Sequence, residues 1–267
     1  MIRLIKIEFK KILNNQVFWV LAALYVLIIT STFFGVQTFI NDVVKDAGRS
    51  APIPVTKISL YNFPDIWHNL TFLAGFLKML LGLLVIFFIT NEYSYRTLRQ
   101  NIITGLSRRE FLFSKLLSIG IISFCATFLL FIIGVILGFM NTEEVTLAMF
   151  FGNFEFIAAY FLELTAFMIF ALLLGFLTKR AAFAIGLLAL YYYIIENWLN
   201  YKLPDDWGDF LPLQAVANLI DIPNTQLMKL FGLNFREYIA VLDVVVVSVY
   251  SLTFVYLMYL ILRKRDM

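Results

Sequence analysis

Apolar residues along this chain fall into six long runs separated by short polar stretches: Val17 to Ile40, Leu70 to Thr90, Leu112 to Met140, Phe150 to Leu177, Ala181 to Trp198 and Ile239 to Leu262. At about 1.5 Å of rise per residue, each run is long enough as a helix to cross a hydrocarbon core roughly 30 Å thick. A backbone in hydrocarbon has to satisfy its own hydrogen bonds, so helices are predicted rather than open strands. The expectation is an all-α polytopic membrane protein, with residues 1–267 forming a single transmembrane domain of six helices.

The polar stretches have characters of their own. Residues 1–15 place Ile2, Ile5, Phe9 and Ile12 on one helical face and Arg3, Lys6 and Lys10 largely elsewhere, the pattern of an interfacial amphipathic helix. Asn14, Asn15 and Gln16 are then expected to turn the chain into the first span. Between the first two spans, residues 41–65 are polar and contain Pro52, Pro54 and Pro64, which predicts an irregular loop. Thr178, Lys179 and Arg180 leave room only for a tight turn, making an antiparallel hairpin of the fourth and fifth spans. Residues 199–238 mix Pro204, Pro212 and Pro223 with apolar positions and read as short, partly buried helices.

Composition strengthens the membrane reading. Hydrophobic residues make up 61% of the chain and charged residues 15%, there are 29 Phe, and the mean hydropathy is +0.86, more apolar surface than a water-soluble domain can hide. The distribution of Lys and Arg sets the orientation. Fourteen of the 21 lie in the N-terminal segment, the stretch from Arg96 to Lys115, the turn at Lys179 and Arg180, and the C-terminal cluster of Arg263, Lys264 and Arg265. Six lie on the other side and Lys78 falls inside a span, so both termini are expected in the cytoplasm. The net charge of +3 calls for no nucleic-acid partner, because basic residues beside membrane spans are explained by topology and anionic lipid.

The most informative stretch is Glu92 to Lys115, EYSYRTLRQNIITGLSRREFLFSK. Glu92 and Arg96 stand four apart and can pair on a helix surface. Gly105 is a suitable helix end, and Ser107 with Glu110 has the capping-box spacing that starts a helix before the Phe111 apolar run. Helix, short turn, helix is therefore expected over residues 91–110. On physics alone this is either a compact surface that a soluble partner can push or a loop whose charges only enforce orientation.

Glu92, the run Thr97-Leu98-Arg99-Gln100, and Ser107-Arg108-Arg109-Glu110 followed by Lys115 resemble the cytoplasmic coupling region of permeases in the type-2 ATP-binding-cassette (ABC) exporter family. Many members carry Gly before the Thr-Leu pair, where this chain has Arg96. The resemblance implies a permease subunit with an N-terminal elbow helix and re-entrant external helices between spans five and six. It also implies a partnership with ABC ATPase subunits through Glu92, Arg96, Thr97, Leu98, Arg99 and Gln100, and with a second, identical or different permease subunit. The implied home is a bacterial cytoplasmic membrane, and the implied cargo an amphipathic or lipid-like substrate. No cofactor is expected in this chain, ATP and Mg belonging to the partner ATPase.

Chemistry of other kinds finds little support. His68 and Cys125 are the only residues of their types, so the usual zinc ligand sets and Cys/His or Ser/His nucleophile pairs cannot be assembled, and no phosphate loop occurs. The chain is therefore not expected to be an enzyme by itself. Ionisable groups at membrane depth are costly and few: Lys78, Glu163, Glu196 and Asp243, with Glu155 near an edge. Lys78 and Glu163 are the intramembrane polar candidates, either a structural pair across the bundle or, through Glu163, the lining of a substrate or proton path. Glu196 and Asp243 sit near external ends where hydration alone can accommodate them. The alternative to a permease is an ATPase-independent secondary transporter or a scaffold for a membrane complex.

Overall fold

A computed structural model describes residues 10–50, 60–95, 97, 100, 103, 105–204, 207–224 and 235–264. Every element among them is helical. In chain order they are α1 (Gln16–Ser50), α2 (Ile66–Gly75), α3 (Lys78–Ser94), α4 (Arg108–Asn141), α5 (Leu147–Phe151), α6 (Glu155–Thr178) and α7 (Ala181–Leu190). A π segment (Tyr191–Ile195) leads into α8 (Glu196–Lys202), and a 3-10 turn (Gly208–Phe210) precedes α9 (Pro212–Ala217) and α10 (Val241–Lys264). Five helices are long and apolar enough to cross a membrane, and α2 with α3, counted as one bent span, makes six.

The centre of the bundle is α6, whose membrane-length window is 78% buried. It is apolar all round, as a helix surrounded by other helices must be. Its largest contact is with α3, and α2, α4, α7 and α10 also pack on it. Glycines set the closest approaches. A Cβ on Gly175 would stand 2.2 Å from Ile89 Cγ2, and one on Gly82 would stand 2.8 Å from Phe167 Cε1, so the α3 and α6 backbones meet only because neither position has a side chain.

Two departures from the sequence reading concern spans one and two. The first helix does not stop near Ile40 but continues to Ser50, overriding the irregular loop expected from residue 41; the prolines that suggested irregularity begin only at Pro52, and residues 51–59 lie outside the described residues. The second span begins earlier, at Ile66, and is broken, its halves meeting at 48°. At the break the N–H groups of Phe76 and Leu77 bond three residues back, to Leu73 and Ala74, a tightened turn that interrupts the regular ladder.

Contacts place the predicted polar stretches at two ends. At one end, Lys11, Glu92 and Lys115 are bonded together, the Arg108 guanidinium donates to the Arg263 carbonyl at 2.7 Å, and Lys179 lies over the Tyr93 ring. This is called the basic end. The α6–α7 turn there is as tight as expected, with Lys179 in the left-handed conformation at φ 58°. At the opposite end, Trp67 Nε1 donates to the Phe150 carbonyl, and Tyr61, whose phenol burial pushes above its ordinary pKa, donates to the Phe33 carbonyl. Replacing Gly175 with Ala is expected to lower the thermal midpoint by an amount corresponding to about 1–3 kcal/mol, as overpacking does. Because Ile is stiff at χ1, adding Ile89→Ala should recover part of the loss; detergent-phase thermal unfolding of the single and double variants checks this.

Candidate functional site

At the basic end, the side chain of Glu92 gathers three parts of the chain. It stands in the last turn of α3, is 5% exposed, and accepts hydrogen bonds from Lys11 Nζ and Lys115 Nζ, both at 2.9 Å to the same oxygen. The Thr97 hydroxyl donates to its other oxygen. Lys11 belongs to the short helical stretch over residues 10–13 that precedes α1, while Lys115 lies about two turns into α4. One carboxylate thus fastens the chain before span one, the end of span two and the start of span three. Lys115 is as buried as Glu92, whereas Lys11 is about one-third exposed, so the Lys115 contact is the less screened of the two.

α3 ends at Ser94 with Tyr95 in a turn, so the helix of span two does not run on unbroken into the segment that follows. Thr97, Gln100 and Ile103 are helical, Gly105 takes φ 98°, and Ser107 forms the expected reciprocal capping box with Glu110 at the start of α4. Of the six residues singled out as a contact for a soluble partner, Glu92, Thr97 and Gln100 are described, and Arg96, Leu98 and Arg99 lie outside the described residues. Gln100 is exposed. Glu92 is turned into the bundle, its oxygens occupied by Lys11, Lys115 and Thr97. Of the amphipathic segment, residues 1–9 lie outside the described residues; beyond it, the Asn15 side chain accepts the Val17 N–H and turns the chain into α1.

The second polar site lies inside the bundle. Lys78, the first residue of α3 just past the break in span two, donates to Glu163 Oε1 of α6 at 2.7 Å; both side chains are buried, at 4% and 3% exposure. The ammonium also lies over the rings of Tyr192 and Phe167, at 5.4 and 5.8 Å from their centroids. Gly75 allows the carboxylate in: a Cβ there would stand 3.1 Å from Glu163 Oε1. Beside them, the Tyr25 and Tyr160 hydroxyls share a buried hydrogen bond of 2.9 Å, tying α1 to α6.

Glu196 and Asp243, which sequence reasoning left near an aqueous boundary, and the single histidine, His68, are held by specific bonds. Glu196 is 2% exposed and accepts the N–H groups of Leu213 and Gln214 at 2.6 and 3.1 Å, capping α9, whose first residue is Pro212. A carboxylate is favourable there because the first-turn N–H groups have no partner inside the helix. The π segment immediately before Glu196 shifts the register of span five. Asp243 pairs with Arg236 at 2.7 Å, and His68 is buried, stacked on Phe156 with Nε2 donating to the Asp221 carbonyl at 2.8 Å. Among the described residues, no group of three or more His, Cys, Asp or Glu is placed to hold a metal ion.

Fold and polar sites together are those of a multi-pass helical membrane protein. The chain belongs to the family described as "Protein of unknown function (DUF2705)", whose model matches residues 53–267. No curated protein matches it.

The buried pair yields a stability prediction. Lys78→Met or Glu163→Leu alone strands a charge and is expected to destabilise by about 3–5 kcal/mol, whereas the double variant leaves none and should regain most of the loss. Denaturant or steric-trap unfolding of the four proteins in bicelles measures the cycle, and additive losses would contradict the pairing.

Proposed function

We propose that this chain is the membrane-spanning permease subunit of an ABC exporter, moving an amphipathic or lipid-like cargo with ATP hydrolysis supplied by separate ATPase subunits. The observation that carries the reading is the anchoring of the segment after span two. That segment bears the Thr97-Leu98-Arg99-Gln100 run resembling a coupling region, and the Glu92 carboxylate ties its root to Lys11 and Lys115. A soluble subunit pressing on it would move the start of span one, the end of span two and the start of span three together. An untethered loop would absorb such a push.

On this reading the basic end faces the cytoplasm, where short Lys- and Arg-rich segments are retained. Arg96, Leu98, Arg99 and Gln100 supply the outward contact, and Glu92 acts as the positioning residue beneath them. Spans one, five and six leave most of their apolar windows exposed, at 17%, 17% and 11% buried, which leaves surface for lipid and for a second permease subunit, identical or different. Glu196 holds α9 against the opposite end as a re-entrant cap. ATP and Mg are bound by the partner ATPase, and the membrane is the bacterial cytoplasmic one.

Affinity purification from the native host in mild detergent tests the assignment. An ABC ATPase is expected to be retained by the wild type and lost from Arg96→Glu/Arg99→Glu. Glu92→Gln should retain it yet uncouple ATP hydrolysis from export. Retention of no such protein by the wild type, or undiminished retention by the charge-reversed variant, would overturn the reading in favour of an ATPase-independent transporter or scaffold.

A further inference from the structure

A cavity of about 80 Å³ opens beside the Lys78–Glu163 pair, in the angle where span two breaks. Phe72 and Phe76 wall it from the two sides of the turn, Tyr192 from the π segment, and Ala217 and Ile220 from the end of α9 and the residues after it. Phe76 is 65% exposed, so the mouth faces outward from the bundle at that ring. Lys78, Glu163 and Tyr192 supply the polar part of its otherwise apolar wall. Glu163 Oε1 is taken by Lys78, but Oε2 is buried and has no hydrogen-bond partner among the described residues.

A buried carboxylate oxygen without a partner is expensive, and the group that would satisfy it must donate a hydrogen bond. Charge narrows the choice. The pair is neutral as a whole, so a cationic ligand would be brought up against the Lys78 ammonium and an anionic one against Glu163, in surroundings that screen neither repulsion. Size and lining narrow it further. The space is several times what one water needs, so a water held by Glu163, Lys78 and Tyr192 would leave most of it, walled by Phe72, Phe76, Ala217 and Ile220, unfilled.

We propose that this cavity binds the hydroxyl head of an uncharged amphiphile, the O–H donating to Glu163 Oε2 while the first carbons of an apolar tail lie against Phe72, Phe76 and Ile220. The ligand class is a neutral long-chain alcohol or an ester carrying a free hydroxyl. The bend of span two makes the room, and the α9 cap closes it from the opposite end. The site rests on this geometry alone and holds whether or not a separate ATPase drives the chain.

Photolabelling of the full chain in lipid nanodiscs with a diazirine-bearing octanol, mapped by mass spectrometry, tests it. Saturable adducts are expected on Phe72, Phe76 or Tyr192, competed by octanol at least tenfold better than by octylammonium or octanoate. Two variants should each lower that labelling at least fivefold: Glu163→Gln, which breaks the ion pair, and Ala217→Leu, which fills the cavity with every charge in place. If Glu163→Gln fails to fold, Ala217→Leu decides. Labelling that is unsaturable, spread over the bilayer-facing helices, insensitive to Ala217→Leu, or competed equally by the charged analogues would overturn the proposal and leave the space to water or bulk lipid.

Discussion

A single carboxylate at the basic end decides how the helices of this protein begin and end relative to one another. Glu92 accepts from Lys11, Lys115 and Thr97, and each donor comes from a different stretch of chain. In water such contacts would be worth little, since surface ion pairs contribute at most about 1 kcal/mol. Here Glu92 and Lys115 are both buried, so separating them would leave two charges without compensation. The contact holds the pre-span segment, α3 and α4 in one register, and the capping box at Ser107 sets where α4 begins.

The clamp and the intramembrane ion pair are joined by one rod. α3 runs from Lys78 to Ser94, with Lys78 bonded to Glu163 at one end and Glu92 clamped at the other, about 21 Å apart along a straight helix. Along its length α3 lies close against α6, with Gly82 and Gly175 letting the backbones approach. One helix thus links the clamp at the basic end to the break in span two. At that break, the turn over Phe76 and Leu77 is where the span bends by 48°. Polar chemistry, a bend and a cavity coincide there because each relies on the others: the bend makes space, Gly75 admits the carboxylate, and the ion pair compensates its charge.

Much of this was legible in the chain. The apolar runs located the five membrane-length helices and the bent α2–α3 pair, because burial in hydrocarbon leaves a signal of twenty or so residues that no loop imitates. Local chemistry was equally readable, as Gly105, the Ser107–Glu110 box and the tight turn at Lys179 show. What escaped was tertiary pairing. Glu92 has an Arg four residues on, so the sequence offered a local partner, whereas its bonds reach Lys11, 81 residues away, and Lys115, 23 residues away. Glu196 was readable as a hydrated boundary residue because nothing local announces that α9 folds back to present its N–H groups. The break in span two carried no proline; Gly75, three residues before Lys78, was its only mark, and the lysine's partner lies 85 residues away. The extension of α1 to Ser50 was hidden by prolines that begin just beyond it.

The clamp is tested most directly by a double-mutant cycle in a bilayer mimetic, with unfolding free energies measured for Glu92→Gln, Lys115→Met, Lys11→Met and the two pairwise combinations. Coupling of about 1–3 kcal/mol between Glu92 and Lys115, with a smaller coupling to the part-exposed Lys11, is the expected result. Losses that add within about 0.5 kcal/mol for both pairs would contradict the idea that this carboxylate fastens three parts of the chain into one moving unit.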